Sequence, residues 1–107
     1  MYTKEYLLEK IKEIKPTYEN EGLILLGLFG SYAKDTATET SDIDILYELD
    51  AKKFYETNDG FKSFTRLNQI RDELKETFHA EIDLCAKSGL SRTGEKYILA
   101  DTLYLAS

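Results

Sequence analysis

The stretch from Leu23 to Leu49, LILLGLFGSYAKDTATETSDIDILYEL, restricts the chain more than any other. Leu23 to Phe29 is almost continuously apolar, which predicts a strand covered on both faces and central in its sheet. The run stops abruptly at Gly30-Ser31. Glycine permits close backbone approach and unusual dihedrals, and Ser31 is predicted to N-cap a short helix over Tyr32 to about Asp35. The polar loop TATETS follows. Asp42 to Leu49 then alternates, with Asp42, Asp44, Leu46 and Glu48 on one face and Ile43, Ile45, Tyr47 and Leu49 on a core face.

The spacing reads G-S-x10-D-x-D. Backbone N–H groups at such a turn can receive phosphate oxygens, and the Ser31 hydroxyl adds a donor. Two strand carboxylates on one face stand roughly 7 Å apart and repel unless a cation lies between them. Mg²⁺ suits oxygen ligands of this kind, because it is held by one or two carboxylates while substrate phosphates complete its shell. Together the pieces predict a metal-nucleotide site. Taken singly, Gly-Ser after a strand is an ordinary turn, and Ser41-Asp42 reads as a cap with Asp44 exposed.

The remaining periodicities supply a scaffold. Leu7, Leu8, Ile11 and Ile14 predict an amphipathic helix from Thr3 to about Lys15, ended or kinked by Pro16, with a turn at Gly22 before the first strand. Asp50 to Gly60 reads as a connection able to hold a short helix. Phe61, Phe64, Leu67, Ile70, Leu74 and Phe78 predict a helix of roughly five turns packed on the sheet, with Lys62, Arg66, Arg71 and Lys75 on its solvated side. Ala80 to Ala86 alternates again and supplies a third acid, Asp83, which could complete a metal cluster, act as general base, or simply sit exposed at a strand end. Glu95 to Leu105 forms a last apolar helix or strand-like segment.

Composition narrows the function classes. A chain of 107 residues is expected to form one domain over 1–107, with room for one site. The hydrophobic and charged fractions, 42% and 32%, are those of a globular chain. No apolar run approaches membrane-spanning length and MYTKEYLLEK lacks a signal-peptide core, so the expected compartment is the cytoplasm. A net charge of -6 argues against a nucleic-acid surface, although a nucleotide that arrives with its own Mg²⁺ remains acceptable. The one cysteine, Cys85, reads as a small core hydrophobe, and the one histidine, His79, as a partner for a helix C-terminus.

Leu28-Phe29-Gly30-Ser31-Tyr32-Ala33-Lys34, followed by Ser41-Asp42-Ile43-Asp44-Ile45-Leu46 and by Asp83 in IDLC, resembles the minimal nucleotidyltransferases of the polymerase-beta-like superfamily. The resemblance implies an α/β fold, a small mixed β-sheet with helices mainly on one face. It implies that Gly30, Ser31 and Lys34 contact the triphosphate of ATP, that Asp42, Asp44 and Asp83 form the catalytic and metal set for two Mg²⁺ ions, and that Asp83 helps activate the acceptor. It also implies an antitoxin role, in which AMP passes to a tyrosine of a HEPN-type ribonuclease toxin in a hetero-oligomer. A non-catalytic antitoxin and a small-molecule (antibiotic) nucleotidyltransferase are the alternatives. Where the family commonly has Ala-Arg-Gly, this chain has Ala33-Lys34-Asp35. Lys34 keeps the charge without the planar fork of arginine, and Asp35 places an acid beside the phosphate turn.

Overall fold

The apolar run forms strand β1, Leu23–Phe29. In the computed structural model, which describes residues 2–89 and 98–105, β1 lies inside a four-stranded sheet. It pairs antiparallel with β2 (Ile43–Leu49) and with the short β4 (Leu103–Tyr104), while β2 pairs parallel with β3 (Ile82–Ala86). The order is β3-β2-β1-β4, a small mixed sheet as expected.

The burial of β1 differs from the expectation. Its register against β2 shifts between Leu25 and Gly27. Leu23 and Leu25 enter the core before the shift and Leu28 after it, whereas Ile24, Leu26 and Phe29 are half-buried. A bulge exchanges the two faces of a strand. The continuous apolar string therefore arises from a strand that swaps faces, not from one packed equally on both.

Helix α1, Lys4–Glu19, is N-capped by Thr3, whose hydroxyl accepts from the Tyr6 N–H at 3.1 Å. Leu7 and Ile11 are fully buried. Pro16 does not end this helix. It lies on the exposed side with Lys12, so the hydrogen bond it cannot donate belongs to the wet face, and the last turn brings Tyr18 into the core. Gly22, at φ +97°, makes the expected turn into β1.

After β1 come the four-residue helix α2 (Gly30–Ala33) and, beyond β2, helix α3 (Ala51–Thr57), N-capped by Asp50. Helix α4, Ser63–Phe78, covers the sheet with Ile70, Leu74 and Phe78. Ser63 is buried as well, so the inward positions are 63, 67, 70, 74 and 78. Phe64 sits one residue off that stripe and is 77% exposed. The aromatic residues expected to be core thus divide, and the side chain of Phe61 lies outside the described residues.

Arg66 is not solvated either. Its guanidinium donates to both Glu21 carboxylate oxygens at 2.6 Å and to Glu73 at 2.7 Å, and Glu73 also accepts from the Tyr18 hydroxyl at 2.8 Å. A planar fork held by two carboxylates joins the end of α1 to α4. In the final segment, residues 98–101 form a helical turn and Leu103–Tyr104 a strand, while Glu95 to Tyr97 lie outside the described residues. No helix among the described residues is long and apolar enough to cross a membrane.

Because Phe78 is buried and Phe64 is not, Phe78→Ala should cost about 3–5 kcal/mol and Phe64→Ala less than about 0.5 kcal/mol. Urea denaturation of the two variants checks this, and equal losses would contradict the assigned helix face.

Candidate active site

The β1–β2 pairing places Phe29 opposite Asp44, and the parallel β2–β3 pairing places Asp44 beside Asp83. Three strands therefore deliver the glycine turn, the second acid of D-x-D and the third acid to one row. Ile43, Ile45 and Ile82 enter the core, so by strand alternation Asp44 and Asp83 project from the opposite face. Asp42 stands exposed just before β2 begins.

Gly30 is shaped by this row. It has φ +71°, and a Cβ built on it would overlap the Asp44 carboxylate. Any other residue would be strained in backbone and would push Asp44 aside. Ser31 is not the N-cap of the short helix. Phe29 occupies that position without a side-chain capping bond, because the first turn closes one residue earlier, from the Lys34 N–H to the Gly30 carbonyl at 3.1 Å. The Ser31 carbonyl instead accepts from the Thr36 N–H at 2.9 Å, which folds the following loop back on the turn.

Asp44 is half-buried, and its carboxyl is pushed up from 3.8 to about 6. Burial is the main cause, followed by the neighbouring Asp83 and then the charge of Asp42. Cys85 follows on the same face of β3 and is half-buried outside the core cluster, which corrects its reading as a core residue. Burial first, then Asp83 and Asp44, pushes its thiol up. His79 closes α4 in a left-handed conformation at φ +51°, on the surface.

The two residues that depart from the common motif are both engaged. Asp35 has φ +60°, a left-handed conformation that aspartate tolerates. Its carboxylate accepts from the Lys4 ammonium of α1 at 2.6 Å, and that hydrogen bond is the first cause of the raised Lys4 pKa. Lys34 pairs with Asp101 at 3.3 Å. The two share a cavity of about 360 Å³ with Phe29, Gly30 and Ile98. Asp101 and Ile98 carried no spacing signal in the sequence, since β4 alone, by pairing with β1, brings them to the turn. A larger hollow of about 560 Å³, around Asn58, Lys62 and Arg66, shares no residue with the carboxylate row.

Among the described residues no three His, Cys, Asp or Glu side chains form a ready-made metal cage. The coupled pair of Asp44 and Asp83 nevertheless suits Mg²⁺, whose coordination is completed by substrate phosphates and water. A carboxyl raised by an acidic neighbour is one that a bound cation would favour in its charged form.

A glycine turn is seated against a strand carboxylate, with a further acid in parallel register, on a small mixed sheet. The chain belongs to the nucleotidyltransferase domain family, whose model matches residues 4–104. It is 37% identical over 87 residues to "Putative protein adenylyltransferase MJ1215" of Methanocaldococcus jannaschii, covering 81% of this chain and 87% of that one. It is 27% identical over 103 residues to the protein adenylyltransferase MntA of Thermococcus cleftensis, covering 92% and 95%. Two solved structures share the fold. One, described as "Structure of putative minimal nucleotidyltransferase", has a TM-score of 0.70 at 18% identity and covers 95% of both chains. The other, "Crystal structure of the toxin-antitoxin with AMP-PNP", has a TM-score of 0.62 at 22% identity, covering 94% of this chain and 73% of that one.

The raised Asp44 pKa has a defined sign. The native state holds a proton that the unfolded chain releases, so this contribution to stability is present below pH 3.8 and is lost as pH rises through about 6. In chelator, Asp44→Asn should remove that loss and melt above the parent at neutral pH. Thermal melts of both proteins at a series of pH values check this, and parallel curves would contradict the coupling.

Proposed function

We propose that the protein is a Mg²⁺-dependent protein adenylyltransferase that transfers AMP from ATP to a tyrosine hydroxyl of a HEPN-type ribonuclease toxin, and so acts as its antitoxin. The observation that carries this reading is the row of Gly30, Asp44 and Asp83 across three strands. The adenylyltransferase names of the relatives and the toxin-antitoxin neighbour support it. The cytoplasm is the compartment in which such a pair would meet ATP.

In this mechanism Gly30 and Ser31 bring backbone donors to the triphosphate and Lys34 supplies positive charge. Asp42, Asp44 and Asp83 would hold Mg²⁺, which supplies charge stabilisation at the phosphates when bound. Asp83, an exposed acid on β3, takes the proton of the acceptor hydroxyl. The hydroxyl oxygen bonds to the α-phosphorus, the bond from that phosphorus to the bridging oxygen breaks, and pyrophosphate leaves with the electron pair. The tyrosine then carries AMP through its phenolic oxygen.

A rival reading, occlusion of the toxin by a catalytically silent fold, drew its sequence support from Asp35. With that carboxylate engaged by Lys4, no observation favours silence. Incubation with ATP, Mg²⁺ and the protein encoded beside this one should add adenylyl groups to the partner, read by intact mass. The Asp42→Ala, Asp44→Ala double variant should lose at least about a hundredfold in rate, the scale expected when transition-state charge stabilisation is removed. An unmodified partner, or modification that survives the double substitution, would refute the proposal.

A further inference from the structure

The C-terminal segment reaches the phosphate turn through a series of fixed contacts. A Cβ on Gly27 would overlap the Leu103 carbonyl, so β4 can lie against β1 only because that position is glycine. Leu105 N–H donates to the Leu26 carbonyl at 2.9 Å, which continues the pairing. Just before β4, Thr102 is buried and its hydroxyl donates to the Ile98 carbonyl at 2.6 Å, closing the turn of residues 98–101. Asp101 therefore stands on an anchored element. Opposite it, Lys34 rises from the backbone bond that closes the phosphate turn, Lys34 N–H to Gly30 carbonyl. The two side chains meet at 3.3 Å across the cavity walled by Phe29 and Ile98.

We infer that Asp101 is a positioning residue for the nucleotide: it holds Lys34 at the mouth of the site in the free enzyme and yields it to the triphosphate on binding. The inference rests on the reading of Lys34 as a phosphate contact. Three observations support the exchange. The Lys34 and Asp101 side chains are 54% and 45% exposed, so the pair is open to solvent and to an incoming anion. Asp101 has a single cationic partner among the described residues, and the contact is a simple ammonium–carboxylate pair. A polyphosphate carries more negative charge than one carboxylate and displaces it from a lysine by charge alone. Asp101 sets the affinity for ATP and for the departing pyrophosphate, and takes no part in bond making.

The test uses the full chain with Mg²⁺ and either ATP or inorganic pyrophosphate, read by calorimetric titration, with steady-state kinetics on the partner protein. An exposed ion pair limits the size of the effect, so Asp101→Asn should tighten both ligands by up to about fivefold. KM for ATP should fall with kcat unchanged, and Asp101→Glu should restore the parent values. Lys34→Gln should weaken both ligands, and adding Asp101→Asn to it should change nothing further. Thermal melts establish that each variant is folded. Ligand affinities of Asp101→Asn equal to the parent's, or an Asp101→Asn effect that persists beside Lys34→Gln, would overturn the inference while leaving the proposed activity standing. Parent-like binding by Lys34→Gln would overturn both the inference and the assignment of Lys34 to the triphosphate.

Discussion

The site depends on the electrostatic strain between Asp44 and its surroundings. A carboxylate is held half-buried between a glycine turn and a second acid, and burial first, then the acidic neighbours, pushes its pKa up to about 6. The sheet sustains this because Ile43 and Ile45, on either side of Asp44 in sequence, are locked into the core. Their burial fixes the strand register, and a slip of one residue would exchange acids for isoleucines. Hydrophobic packing on one face thereby holds an unfavourable charge arrangement on the other.

The Gly30-Ser31 turn is supported from both sides. Lys4 of α1 takes the Asp35 carboxylate, and Asp101 takes the Lys34 ammonium. These are exposed pairs and add little to stability. Their value is directional, since two charges close to the Gly30-Ser31 turn are both engaged in defined geometry. At the far end, the Arg66 fork between Glu21 and Glu73 has less solvent around it and joins α1 to α4. The weak pairs lie beside the Gly30-Ser31 turn and the better-shielded one lies in the frame.

Much of this was legible in the sequence because it is local. The apolar spacing of α1 and α4, the strand alternation and the Gly30-Ser31 to Asp42/Asp44 interval each depend on neighbours a few residues apart. Most of the failures share a cause: they turn on contacts between distant segments. Arg66 reads as solvated until Glu21 is placed beside it. Pro16 reads as a helix end or kink, and only its place on the exposed side explains why the helix runs on through it. Phe64 is apolar at helical spacing, yet the buried Ser63 takes the inward position. Asp101 lies far along the chain from the motif and is brought in by strand pairing alone. Asp35 looks disruptive by type, and only its left-handed backbone and the Lys4 ammonium explain its place.

The topology has one more consequence. β1 and β2 form an antiparallel pair from adjoining segments, whereas the parallel β3 returns only after α3 and α4, and β4 only later still in the chain. The recognisable motif therefore belongs to the first half of the chain, and Asp83 and Asp101 belong to the second. A fragment ending at Leu49 would contain every letter of G-S-x10-D-x-D and still lack both residues. The site is a joint between two halves of the polypeptide, complete only once the whole sheet has closed, so its chemistry is tied to the integrity of the fold.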